Sequence, residues 1–247
     1  MNLYTLVTGA SSGLGQSIAV RLSDNRRLIL NGRNPERLQQ TLNSCANPDQ
    51  HIVWEFDLCD VQNLSDSLGA VIAERKIAID CFVHAAGILK ILPVRSVTYK
   101  MLAEVLNTNL VSAFEIVSLL VRRRVNQQQL KNVVFVSSIA SEFGAPGFSM
   151  YAASKSALDG LMRSLAVELA PNVRVNSILP GGFRTPMTEA MLSDPTVEAK
   201  LVRDYPLGLG LIEDIVNAAD FLTSDRSRWI TGHQLVVDGG RSINIAI

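Results

Sequence analysis

The chain has 247 residues, 47% hydrophobic and 19% charged, proportions of a compact folded unit with a large core and not of a disordered chain. Lys plus Arg and Asp plus Glu number 23 each, so the balanced charge argues against nucleic acid or an anionic membrane as partner. The three cysteines, Cys45, Cys59 and Cys81, are scattered and lack metal-ligand spacing, which points to free thiols in a reducing compartment and no metal site.

The N-terminus enters a strand pattern directly, without a charged leader, and no apolar run reaches the ~18 residues of a membrane span. A cytoplasmic protein is expected. Residues 3–7 read as a short buried strand, followed by the turn Gly9, Ala10, Ser11, Ser12, Gly13, Leu14, Gly15 and an amphipathic helix over 14–23. A strand, a glycine-rich turn and a helix N-terminus make a phosphate site, where main-chain N–H groups and the positive end of the helix dipole face an anion. Gly9 would allow the tight turn, Gly13 the close approach of a pyrophosphate, and Gly15 close helix–strand packing. The spacing is G-x-x-x-G-x-G and differs from the general G-x-G-x-x-G fingerprint.

A second strand over 27–30 leads into Asn31, Gly32 and Arg33. An acid near this point would hold the ribose 2′-OH of NAD, whereas an arginine would pair with the 2′-phosphate of NADP. Arg33 without an acid at 31 or 32 favours NADP(H), with NAD(H) as the alternative and a plain solvated turn arginine as the structural one. Residues 51–56 form the third strand pattern and end in Asp57-Leu58, where the carboxylate either accepts from an adenine amino group or caps the helix predicted over 61–75. The fourth strand, 79–83, runs into His84, Ala85, Ala86 and Gly87, small residues that let main chain approach a ligand; His84 reads as a structural strand-end residue. One long helix is predicted over 99–123, with Asn107 and Asn109 inside an apolar stretch and needing partners. The run Arg122, Arg123, Arg124 reads as its solvated end.

The apolar run 133–136 ends in Ser137 and Ser138, and the helix that follows, to about residue 169, carries Tyr151 and Lys155 one turn apart on one face. A phenol has a free pKa of about 10. A fixed ammonium beside it favours the phenolate and would make it a usable proton donor and acceptor, with the serine hydroxyls polarising a carbonyl. Alone, such a Tyr-x-x-x-Lys pair arises by chance on exposed helix faces. A sixth strand over 173–179 leads to Pro180, Gly181, Gly182, Phe183, Arg184 and Thr185, at the strand edge where open α/β sheets bind ligands. Residues 186–210 read as a lid over an apolar pocket, with Met187, Met191 and Leu192, against ordinary surface packing. A helix over 212–223, a seventh strand over 235–237 and the turn Asp238-Gly239-Gly240 complete the pattern. No repeat, low-complexity tract or linker divides residues 1–247, so a single dinucleotide-binding catalytic domain is expected.

Taken together, the glycine turn from Thr8 to Gly15, Asp57, Ala86-Gly87, Asn109, Ser138, Tyr151-x-x-x-Lys155, Pro180-Gly181 with Thr185, and Asp238-Gly239-Gly240 resemble the short-chain dehydrogenase/reductase family in its compact single-domain branch. The resemblance runs nearly end to end. It implies a Rossmann-like doubly wound parallel sheet of seven strands with helices on both faces, and a homotetramer. It implies a nicotinamide site built from Gly9, Ser11, Ser12, Gly13, Leu14, Gly15, Arg33, Asp57, Leu58, Ala86, Gly87, Pro180, Gly181, Phe183 and Thr185. Tyr151 would exchange the proton and Ser138 orient the substrate oxygen. Lys155 would bind the nicotinamide ribose and depress the Tyr151 pKa, and Asn109 would hold a water linking Lys155 to solvent. Two departures stand out: His84-Ala85 replaces the usual Asn pair, and Gln127-Gln128-Gln129 lies where relatives acting on acyl-carrier substrates carry basic residues near the site entrance. The expected activity is NADP(H)-dependent interconversion of a carbonyl and a secondary alcohol. The alternatives are an NAD-dependent alcohol dehydrogenase, a 3-oxoacyl-(acyl-carrier-protein) reductase, and a cofactor-binding relative without catalysis.

Overall fold

The computed structural model describes residues 2–184, 193 and 195–244. Seven strands form one parallel sheet: β1 (Asn2–Thr8), β2 (Leu28–Gly32), β3 (Ile52–Glu55), β4 (Ile77–His84), β5 (Asn132–Val136), β6 (Arg174–Pro180) and β7 (Gln234–Val237). Their spatial order is β3-β2-β1-β4-β5-β6-β7, and every neighbouring pair is parallel. This is the Rossmann-like doubly wound sheet that the resemblance implies. The order reverses between β1 and β4, which opens a crevice at their C-terminal ends where such sheets bind ligands.

Alternation along the strands builds two cores. Leu6, Ile79, Phe82, Val133 and Phe135 face one side and pack on α3 (Leu64–Arg75), α5 (Ser112–Leu120) and α7 (Ser149–Glu168). Val7, Leu30, Val83, Val134 and Ile178 face the other and pack on α1 (Gly13–Leu22), α2 (Pro35–Ser44) and the helix Ile212–Thr223. Continuous apolar strands such as β5, buried at every position, follow from helices on both faces.

The helix predicted over 99–123 is broken. It runs as α4 (Tyr99–Leu106), widens into a π-type turn at Asn107–Val111, and resumes as α5. A short α6 (Arg123–Asn126) then takes up part of the arginine run. The stretch Tyr99–Leu120 also corrects the expectation about membrane spans, since its 22 residues and mean hydropathy of 1.2 would suffice by length and composition. Val105, Ala113, Ile116, Val117, Leu119 and Leu120 are buried in the protein, so this apolarity serves the sheet face. In the segment 186–210 the described part contains α8 (Pro195–Asp204), ahead of α9 (Ile212–Thr223). Met187, Met191 and Leu192, the proposed lid side chains, lie outside the described residues, as does Thr185.

Candidate active site

A cavity of about 830 Å³ opens at the C-terminal edge of the sheet. Its size suits a cofactor together with a small substrate. At one end lie Gly9, Ser11, Ser12, Gly13, Leu14 and Gly15. Gly9 has φ +70°, and a Cβ on Gly15 would stand 2.3 Å from the Gly9 carbonyl oxygen, so the start of α1 presses directly on the end of β1. The N-cap Ser12 makes no side-chain cap, and no acid occupies the first turn of α1. The first amides and the dipole end therefore remain directed at an anion, and the residues present fit a dinucleotide pyrophosphate.

Further along the wall are Arg33, Asp57 and Leu58, then Ala86 and Gly87. Asn31 lines the same wall, its side-chain amide donating to the carbonyls of Trp54 and Phe56 at 3.2 Å each. Asp57 does not cap the next helix, because α3 begins only at Leu64 with Asn63 before it. Its carboxylate instead accepts from the Cys59 amide at 2.9 Å and pairs with Arg33 at 3.8 Å, both side chains being largely solvent-exposed.

Ser138, Tyr151 and Lys155 line the other end of the same cavity. Ser138 follows β5 and opens a short turn, where its Oγ accepts from the Ala140 amide at 3.1 Å. That bond uses an oxygen lone pair and leaves the hydroxyl hydrogen available toward the neighbouring Tyr151 hydroxyl. Lys155 is buried and its Nζ donates to the Val136 carbonyl at 2.8 Å. It stands 5.7 Å from the Tyr151 ring centroid. The phenol's net shift in this structure runs opposite to the expected one. Burial pushes the Tyr151 phenol up, offset in part by the neighbouring Ser138 hydroxyl. Burial also brings Lys155 down to about 8, with the Asp159 carboxylate pulling the other way. Desolvation disfavours the charged form of each group and is the largest influence on both.

Asn109 does not reach the cavity; its neighbour Thr108 does. Fully buried in the π-type turn, Asn109 accepts from the Ile88 amide at 2.7 Å and donates to the Ile88 carbonyl at 3.1 Å and to Ser154 Oγ at 2.9 Å. Its side chain thus fixes the loop after β4 against α7, and any relay through Asn109 would have to use its main chain. His84 is structural, as expected: its Nδ1 shares a 2.9 Å hydrogen bond with Thr8 Oγ1, which ties β4 to β1.

Pro180, Gly181 and Phe183 complete the wall together with Tyr205, Arg241, Ser242 and Asn244, which the sequence reading missed. The signal for the last three was present in Asp238. Its carboxylate accepts from the amides of Gly240 at 3.0 Å and Ser242 at 2.6 Å and bends the tail back over the cavity. Tyr205 OH accepts from the Gly182 amide at 2.7 Å. Gln127, Gln128 and Gln129 precede β5, at the sheet edge opposite the cavity, so within one chain they say nothing about its entrance and do not argue against an acyl-carrier substrate.

A parallel sheet with a glycine-turn phosphate site and a Ser, Tyr and Lys set in one cavity defines a dinucleotide-dependent oxidoreductase. Comparison with known proteins gives the family. A family model described as enoyl-(acyl carrier protein) reductase matches residues 9–242. Gluconate 5-dehydrogenase of Gluconobacter oxydans is 31% identical, over 97% of this chain and 94% of its own. The pig (Sus scrofa) protein carbonyl reductase [NADPH] 2 is 31% identical, over 96% of each chain. The structure of 4-hydroxyisoleucine dehydrogenase complexed with NADH superposes with a TM-score of 0.90 at 30% identity, covering 99% of this chain and 100% of that one. The chain belongs to the short-chain dehydrogenase/reductase family and is an oxidoreductase of CH–OH and C=O groups with a nicotinamide cofactor.

Proposed function

We propose that the protein is an NADP(H)-dependent oxidoreductase interconverting a carbonyl and a secondary alcohol, with Tyr151 as general acid and base. The observation that carries this is the single cavity with the glycine turn at one end and Ser138, Tyr151 and Lys155 at the other. The nicotinamide, when bound, supplies or accepts the hydride. Ser138 donates its hydroxyl hydrogen to the substrate oxygen and orients it. Tyr151 gives its proton to that oxygen as the new C–H bond forms, and takes it back in the oxidative direction. A phenol that burial keeps protonated is suited to the donor role. Lys155 would hold the nicotinamide ribose hydroxyls and sustain positive charge beside the phenol. Ile88, Leu89, Ile139, Ala140, Phe143 and Phe148 supply a largely apolar wall, which suits a substrate with an apolar group next to its carbonyl. Tyr151→Phe should lower turnover by at least about 10²-fold while leaving NADPH binding, read by fluorescence titration, essentially unchanged; retained turnover would overturn the assignment.

NADP(H) is favoured because Arg33 sits on the cavity lip and no acid stands at the end of β2. The exposed pair with Asp57 is a weak tie that a 2′-phosphate dianion can break. That same Asp57 carboxylate supports NAD(H) as the second reading, since it lies where a 2′-phosphate would approach. The KM for NADPH should be at least about tenfold below that for NADH, a difference of ~1.4 kcal/mol in binding, and a preference for NADH would defeat the Arg33 argument. The reading also takes the protein as cytoplasmic, in keeping with three free thiols, and as a homo-oligomer, tetrameric by family resemblance.

A further inference from the structure

The C-terminal side of Lys155 holds a second buried ionisable group that the reaction as described does not use. Asp159 lies one turn further along α7 and is 1% exposed, and Lys155 is 3% exposed. No cation stands within salt-bridge distance of this carboxylate among the described residues, and no protein donor reaches its Oδ1. A buried carboxylate without such compensation is costly. Its one hydrogen bond comes from Ser137, whose Oγ donates to Oδ2 at 2.9 Å and also lies 3.4 Å from the main-chain carbonyl of Lys155. Ser137 directly follows Val136, whose carbonyl accepts from Lys155 Nζ. The end of β5 therefore grips the lysine at its ammonium and at its backbone, and grips the aspartate one turn beyond.

We propose that Asp159, aimed by the Ser137 hydroxyl, is a positioning residue whose buried carboxylate holds Lys155 as an ammonium in the active site. It touches neither substrate nor cofactor and acts through the lysine. The charged and titratable groups around Lys155 are Tyr151 and Asp159 on its own helix and His84 on β4. The parts of β5 and the π-type turn nearest it contribute main chain, hydroxyls and the Asn109 amide. Of these, only Asp159 favours the charged lysine by Coulomb attraction, whereas burial works against it and brings the group to about 8. The carboxylate raises the pH at which the ammonium loses its proton; without it, that loss comes at lower pH.

The inference rests on the role given above to Lys155, but its decisive test reads the ammonium directly. In the full-length protein labelled with ¹³Cε-lysine, the Lys155 resonance is assigned by its loss in Lys155→Arg and titrated by NMR. Asp159→Asn should lower the midpoint by about half a pH unit or more. The alkaline limb of the kcat profile at saturating NADPH should move down with it, and Asp159→Glu should restore part of both. Ser137→Ala should move the midpoint the same way by less. A folded Asp159→Asn protein with an unmoved Lys155 midpoint overturns the proposal. If that variant does not fold, Ser137→Ala decides alone, and an unmoved midpoint there has the same consequence. A shifted midpoint without measurable turnover in the wild type would support the electrostatic role and count instead against the enzyme reading.

Discussion

At His84 an imidazole stands where the family's usual asparagine would be, and it is fully buried with Thr8 as its hydrogen-bond partner. Its ring also stands edge-on to Phe82 and Phe135, so it packs as an aromatic as well as bonding as a polar group. Burial, helped by the nearby Lys155 ammonium, brings it from 6.5 down to about 3. The unfolded chain therefore takes up a proton below pH 6.5 that the folded protein refuses until about 3. This contribution to stability is complete above 6.5 and is lost as the pH falls through that window. At two pH units below the unfolded value the loss amounts to about 2–3 kcal/mol. His84→Asn should abolish that part of the acid sensitivity, seen as a smaller drop in unfolding free energy between neutral pH and mildly acidic pH in urea titrations. An unchanged drop would mean that His84 is not the group responsible.

Among the elements, the turn between β1 and α1 is the least tolerant of added atoms. Gly15→Ala would drive a methyl into the Gly9 carbonyl, where only main chain could yield. The start of α1 would have to move away from the phosphate position, at a cost of about 1–3 kcal/mol of overpacking. NADPH affinity should fall at least about tenfold, or ~1.4 kcal/mol. Gly69→Ala on α3 is the matched control: beyond its chain neighbours and its own helix backbone nothing lies within 4 Å of the new Cβ, and both stability and affinity should hold or improve slightly. Equal weakening in the two variants would remove the steric argument. The π-type turn at Asn107–Val111 is the contrasting element, because no local signal separates it from a regular helix. Within it Asn109 makes three hydrogen bonds to Ile88 and Ser154, distant in sequence.

On the scale of the whole molecule, function and anchoring occupy opposite edges of the sheet. The cavity lies at the C-terminal strand ends. At the start of β6, Arg174 donates to the carbonyls of Leu222 and Ser224 and binds the end of α9. The outer surface keeps Phe114, Val121, Val167 and Trp229 exposed. Light scattering should return a multiple of the 26.9 kDa chain mass, fourfold by family resemblance. A particle of one chain mass at working enzyme concentrations would rule out the homo-oligomer.

The sequence by itself determined the strand and helix alternation, the phosphate turn after β1, and the Ser138, Tyr151 and Lys155 set. Each is written in local spacing or in a short-range period, so the chain need not be folded for it to be read. Tertiary structure decided what depends on neighbours far apart in the chain: the break in the 99–120 helix, the withdrawal of Asn109 behind the wall, the return of Arg241, Ser242 and Asn244 to the cavity, and the Arg33–Asp57 pair. It also set the direction at Tyr151, since burial in the surrounding protein, which no residue spacing encodes, pushes the phenol up.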